Sequence, residues 1–190
     1  YLGDDAVNKG VRMKISSWTR HDHNTMPPAA KTVGNYVNSS LAKVEALKAG
    51  YDEAIMLAPN GLVAECTGEN IFVVRNGIIY TPPIGNSVLW GITRDSVIDI
   101  AHDLGYEVRE QTLPRETLYI ADEVFFVGTA VEVTPIRSVD RVKVGPGRRG
   151  PITEAIQQRF FQIVKGESPD TRGWLQYVHA PATSGAAKGR

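Results

Sequence analysis

A single cysteine, Cys66, stands in the whole sequence, so no internal disulfide can form and no cysteine-based zinc set exists; one unpaired thiol fits a reducing, cytoplasmic setting. Net charge is also lacking, because 21 lysines and arginines meet 21 aspartates and glutamates. That balance argues against a nucleic-acid footprint, which shows as a basic excess. No apolar run approaches the roughly 20 residues of a membrane span, and nothing at the start resembles a signal peptide. Internal repeats are absent. An initiator methionine is missing too: the chain opens Tyr1-Leu2-Gly3-Asp4, which reads as a fragment or truncated chain.

What remains is ordinary for one globular domain: 190 residues, 42% hydrophobic and 22% charged, enough to bury a sizeable core unaided. Val11, Met13 and Ile15 alternate with Arg12, Lys14 and Ser16, which predicts a strand over Val11 to Arg20. From Tyr36 the apolar residues Val37, Leu41, Val44 and Leu47 recur at helical spacing and Gly50 stops the run, predicting an amphipathic helix. Short strands follow at Glu53 to Ala58 and Leu62 to Cys66 around a Pro59-Asn60-Gly61 turn. Ile71 to Arg75 and Ile78 to Thr81 flank Asn76-Gly77, a hairpin signal because both turn positions need positive φ. A second helix is expected from Thr93 to Leu104, a strand at Tyr106 to Gln111, and a short helix at Arg115 to Ile120. Strands at Glu123 to Val127 and Glu132 to Ser138 come next. A last helix, Ile152 to Val164, carries Ile152, Ile156, Phe160 and Ile163 on one stripe. Helices separated by runs of hairpin strands indicate an α+β fold with mainly antiparallel pairing. The small, polar tail at 179–190 is expected to be disordered.

Several short stretches could carry chemistry. Lys31 follows Pro27-Pro28-Ala29-Ala30 and precedes Gly34-Asn35-Tyr36; small apolar neighbours would partly desolvate it and favour the neutral amine that attacks an aldehyde. A surface lysine at a helix start is the plainer alternative, and local context leaves both open. Glu65, in Glu65-Cys66-Thr67-Gly68-Glu69-Asn70, is a solvated turn carboxylate or the partner of a pyridine nitrogen, with Gly68 allowing close backbone approach. Gly91-Ile92-Thr93-Arg94 opens a helix, giving free amides and a dipole end for an anion, or plain capping by Thr93. Gly128-Thr129-Ala130 ends a buried strand, as an anion-binding nest or a simple bend. Gly145 to Gly150 lacks the phosphate-loop lysine and spacing and reads as a surface loop. His21, His23, His102 and His179 show no metal-ligand spacing.

Taken in order, Ser16-Ser17-Trp18, Ala29-Ala30-Lys31 with Gly34-Asn35-Tyr36, Glu65 with Gly68-Glu69-Asn70, Gly91-Ile92-Thr93-Arg94, and Ala121-Asp122-Glu123-Val124-Phe125 with Gly128-Thr129-Ala130 closely resemble the branched-chain aminotransferases among the fold type IV pyridoxal-phosphate enzymes. The resemblance runs from about Tyr1 to Gly173-Trp174-Leu175. It implies that residues 1–178 form the larger, C-terminal domain, with a barrel-like core of mixed, mainly antiparallel sheets and flanking helices. A smaller N-terminal domain is expected before it.

The resemblance also implies roles. Lys31 looks like the lysine that carries pyridoxal 5′-phosphate as an internal aldimine and shuttles the substrate proton. Tyr36 would bond the cofactor's phenolic oxygen, and Glu65, with Arg20 beside it, would face the ring nitrogen. Gly68, Ile92, Thr93 and Thr129 would hold the phosphate, and amides around Thr129 and Ala130 the substrate carboxylate. Implied substrates are leucine, isoleucine and valine with 2-oxoglutarate and the matching 2-oxo acids, in a homodimer or larger homo-oligomer. A D-amino-acid aminotransferase, an aminodeoxychorismate lyase and a catalytically silent cofactor-binding fragment are the competing readings.

Overall fold

A computed structural model describes residues 4–178; the 179–190 tail lies outside the described residues. Among these, four helices and nine strands follow the order α1 (Asp4–Lys9), β1 (Val11–Thr19), α2 (Asn35–Lys48), β2 (Glu53–Leu57), β3 (Val63–Cys66), β4 (Asn70–Arg75), β5 (Ile78–Thr81), α3 (Ile92–Asp103), β6 (Val108–Glu110), a 3₁₀ turn (Arg115–Leu118), β7 (Glu123–Gly128), β8 (Glu132–Val139), β9 (Val142–Lys143) and α4 (Pro151–Val164). The expected elements are all present. The alternation in the sequence did not foreshadow α1 and β9, which are too short to generate a period.

The strands form one mixed sheet in the order β3-β2-β1-β8-β7-β4-β5-β6, with β9 on β8. Five pairings are antiparallel (β2–β3, β4–β5, β4–β7, β7–β8, β8–β9) and three parallel. This is the expected α+β class. The order also dictates curvature. β3 and β4 are five steps apart in the sheet, about 24 Å if it were flat. Yet only Thr67, Gly68 and Glu69 connect them, a reach of at most about 14 Å. The sheet must therefore curl toward a barrel, and the Cys66 N–H donates to the Glu69 carbonyl at 2.8 Å across the closure.

Pleating sorts the side chains. Along β4, Ile71 and Val73 point to the inner core with Met13, Ile55 and Phe126, while Phe72 and Val74 meet Val97 and Ile100 of α3 and Ile156 of α4. Phe72 sits opposite Phe125 of β7, with ring centroids 5.0 Å apart and stacked. Strands covered on both faces read as unbroken apolar runs, which is why the alternation signal fades at β4 and β7. The Asn76-Gly77 turn takes φ of 53° and 77°, as its hairpin requires.

One helix faces the opposite way from its pattern. Burial on α2 falls on Asn35, Ser39, Ala42 and Ala46, with Ala42 and Ala46 against Ala54 and Met56 of β2. The apolar stripe Val37, Leu41, Val44 and Leu47 is exposed. Small residues let the helix lie close on the sheet, and Asn35 and Ser39 face inward because they have hydrogen bonds to make there.

Candidate active site

The carboxylate comes first, because it is the most constrained group. Glu65 lies in the middle of β3, where every residue is buried. Its Oε1 accepts a 2.5 Å bond from Arg20 Nη2, and its Oε2 accepts from Asn70 Nδ2 (3.0 Å) and the Leu89 N–H (3.1 Å). Arg20, itself buried, also donates to Ser39 Oγ (3.1 Å) and to the Ser87 carbonyl (3.5 Å). Burial pushes the Glu65 carboxyl up to about 7, against the pull of Arg20, the Leu89 N–H, Lys31 and Arg94. Charge and proton thus compete on Glu65 near neutrality.

A second carboxyl sits beside it. Burial, then the negative charge of Glu53, raises Glu69 to about 7, while the Gly68 N–H bonded to it pulls the other way. Glu53 is held by Lys43 Nζ at 2.5 Å and by Thr67 Oγ1 at 2.8 Å. The short turn that closes the sheet is therefore braced by Glu53 of β2 from outside and by its own Glu69 from within.

Lys31 lies in the loop between β1 and α2, where two clefts meet. One is lined by Arg20, Lys31, Asn35, Tyr36, Ser39, Glu65, Gly68, Glu69 and Asn70 among others. The second is lined by Lys31, Gly68, Asn70, Leu89, Trp90, Gly91, Ile92, Thr93, Val127, Gly128 and Thr129. Residues far apart in sequence thus converge: Lys31 joins Arg20, Tyr36, Glu65 and Gly68 on one side, and Gly68, Ile92, Thr93 and Thr129 on the other. Ala130 is exposed and lines neither cleft.

Two local expectations need correction. Lys31 is not desolvated by its small neighbours; it is exposed, as are Thr32, Val33 and Gly34, because the loop runs over the surface and satisfies its own backbone. Thr93 does not cap α3: the N-cap is Gly91 in an extended conformation with no side-chain bond. The first-turn amides consequently have no side-chain acceptor, and Gly91, Ile92 and Thr93 line the second cleft, as an anion cradle would require. Gly68 lines both clefts with open space beside it, since an added Cβ would meet only Tyr36 Cε1 at 3.8 Å, whereas at Gly91 it would fall 2.0 Å from Asn70 Oδ1. Within the chain itself, the tight backbone approach is at Gly91.

Arg94, next to Thr93, faces away from the site. Its side chain is buried and bonds the Pro82 carbonyl (3.2 Å) and Glu110 Oε2 (2.7 Å), tying α3 to β6. Asn70, Leu89, Ser39, Ser87 and Asn35 take part in the site without having been assigned roles from sequence. For Asn70 the signal was there: asparagine is a poor strand former, so one opening a buried strand implies a side-chain task.

The family described as Amino-transferase class IV matches residues 2–139. The branched-chain-amino-acid aminotransferase of Escherichia coli (strain K12) is 52% identical over 179 residues, 94% of this chain and 58% of the relative. That of Pseudomonas aeruginosa is 47% identical over 178 residues, 94% of this chain and 58% of the relative. The chain therefore spans less than two thirds of these relatives' length. Among solved structures, the E. coli branched-chain amino acid aminotransferase superimposes with a TM-score of 0.92 at 52% identity, covering 94% of this chain and 59% of that one. The branched-chain amino acid aminotransferase from Thermobaculum terrenum in its PLP-bound holo-form gives a TM-score of 0.83 at 43% identity, covering 85% and 53%. The chain belongs to the class IV aminotransferase family.

Proposed function

We propose that this chain is the cofactor-holding part of a pyridoxal-phosphate-dependent transaminase that exchanges amino groups between leucine, isoleucine or valine and 2-oxoglutarate. The observation that carries the reading is the position of Lys31: an amine at the junction of one cleft containing a buried carboxylate and another bounded by an uncapped helix start. The donor types fit the cofactor. An aldehyde wants the amine, a pyridine nitrogen wants the acid, and a phosphate wants free amides. Relatives named as branched-chain aminotransferases, one solved in its PLP form, support the same assignment.

When bound, pyridoxal phosphate supplies an aldehyde that exchanges amines and a ring that takes up electron density from the substrate Cα. The chain's residues do the rest. Lys31 would hold the aldehyde through its amine and, when free of it, would carry the proton between the substrate Cα and the cofactor carbon that receives the amino group. Glu65 holds a proton at the ring nitrogen, and Arg20 holds Glu65 in place. Tyr36 donates to the phenolic oxygen. Ile92, Thr93, Gly68 and Thr129 would retain the phosphate, and the Thr129 amide, at the edge of the second cleft, would orient the substrate carboxylate.

We take residues 1–178 as the larger domain of a two-domain enzyme, whose smaller domain would cover the exposed Lys31, Trp90 and Ile92. The exposed stripe on α2 supports a homodimer or larger homo-oligomer, and the lone buried thiol of Cys66 fits the cytoplasm. No helix among the described residues is long and apolar enough to cross a membrane.

The test is chemical trapping. Borohydride reduction after adding pyridoxal phosphate should place one label on Lys31 by peptide mass spectrometry, and Lys31→Ala should lose it. Label spread over the surface lysines would overturn the assignment. In the enzyme containing this chain, leucine and not D-alanine should turn over with 2-oxoglutarate; the reverse preference would assign the D-amino-acid reaction.

A further inference from the structure

We infer that Asn35 is the positioning residue for Lys31. This rests on the reading of Lys31 given above and adds the device that aims it. Lys31 is exposed on a surface loop, so its four-carbon stem has little packing to restrain it. What can be restrained is its backbone. The peptide unit joining Ala30 to Lys31 has its carbonyl held twice, by Asn35 Nδ2 at 2.7 Å and by the Thr32 N–H at 2.8 Å.

The other proton of the same Asn35 amide goes to the Pro27 carbonyl at 3.0 Å, which also accepts from the Ala30 N–H at 3.1 Å. One planar group thus bridges both ends of the turn that precedes Lys31. Because that group sits on the first residue of α2 and is buried, the turn is referenced to the helix and, through it, to the sheet that carries Glu65. The Ala30–Lys31 peptide plane sets the direction of the Lys31 N–Cα bond, and the Thr32 N–H bond back to the Ala30 carbonyl, closed across Lys31, restricts rotation about it. Together they limit the direction in which the lysine stem leaves the backbone.

The geometry needs a double donor. Aspartate would set an oxygen between two carbonyl oxygens, and alanine would leave both carbonyls with one partner fewer. Asn35 Oδ1, buried and without a partner among the described residues, shows that the side chain is not kept for its acceptor. Both its engaged contacts are donations into the Lys31 loop.

The experiment separates aim from affinity. Asn35→Asp and Asn35→Ala are made in the full chain, and two ligands are compared. Pyridoxamine 5′-phosphate has no aldehyde and cannot react with lysine, so its affinity reports the phosphate and ring contacts alone. Pyridoxal 5′-phosphate with borohydride reports the rate of label entering Lys31. Both variants should bind pyridoxamine 5′-phosphate within about twofold of wild type while labelling of Lys31 slows at least about tenfold, as misplacing a reacting group does. Amide hydrogen exchange at residues 30–32 should quicken in step. Labelling at the wild-type rate in either variant would overturn the inference, as would equal losses with the two ligands, which would mean general damage to the cleft. Failure of wild type to label Lys31 at all would overturn the transaminase reading and this inference together.

Discussion

Arg20→Met leaves a carboxyl in a nearly closed site without its cation, and the consequence depends on pH in a way that can be worked out. Glu65 is 4% exposed and keeps only the Asn70 amide and the Leu89 N–H as donors. Below pH 7 the acid, already raised to about 7 by burial, takes up a proton and escapes the charge penalty. The loss there is then the bonds of Arg20 to Ser39 and Ser87, about 1–2 kcal/mol. Above pH 7 the variant must either hold a buried, uncompensated carboxylate or keep it protonated against the pH. Each unit by which the variant's Glu65 rises beyond 7 adds about 1.4 kcal/mol, so the total at pH 9 should reach about 3–5 kcal/mol, the range for breaking a buried pair. Urea unfolding with linear extrapolation at pH 6 and pH 9 measures both values. The double variant Arg20→Met/Glu65→Leu should lose the same amount at both pH values, since no buried acid remains to titrate and only the bonds made by the two side chains are missing. A destabilisation of the single variant equal at the two pH values, or a double variant whose loss still grows with pH, would refute the reasoning.

Other perturbations have equally definite outcomes. Because the folded-state carboxyls of Glu65 and Glu69 lie above their ordinary 4.5, the native state binds more protons than the unfolded chain between about pH 4.5 and 7, and stability should fall as pH rises through that window; thermal melts should show it, and Glu65→Gln should flatten the slope. Glu123 caps α4 from β7, accepting from the Ile152 and Thr153 amides and the Thr153 hydroxyl at 3.0, 2.8 and 2.7 Å, so Glu123→Ala should cost about 1–3 kcal/mol in denaturant unfolding; a loss under about 0.5 kcal/mol would mean the cap is not needed. Val37→Gln and Leu41→Gln lie on the exposed stripe of α2 and should each leave monomer stability within about 0.5 kcal/mol, whereas Ala42→Gln, on the buried face, should overpack the contact with β2 and cost about 1–3 kcal/mol. In the enzyme containing this chain, Glu65→Ala should lower turnover on the order of 100-fold with some cofactor retained, and near-normal turnover would remove Glu65 from its role.

Local codes in the sequence were sufficient for most of the secondary structure. Asn76-Gly77 needs no distant partner to make a hairpin, Gly50 and Gly105 end helices by taking φ of 82° each, and the stripe Ile152, Ile156, Phe160, Ile163 lands on the core, because these signals are satisfied within a few residues. The candidate site was legible in part, as an ordered set of short motifs, since the residue types around Lys31, Glu65 and Thr93 suit one chemistry. What the chain could not reveal locally was their meeting. That depends on sheet order: a three-residue connection between strands five positions apart curls the sheet and carries Glu65, Gly68 and Asn70 toward Arg20 and Lys31. The same tertiary contest turned α2 over, because a close fit of Ala42 and Ala46 on β2, together with the bonds of Asn35 and Ser39, outweighed the larger apolar stripe. Periodicity tells which residues share a face. Only the packing of the whole chain decides which face is covered.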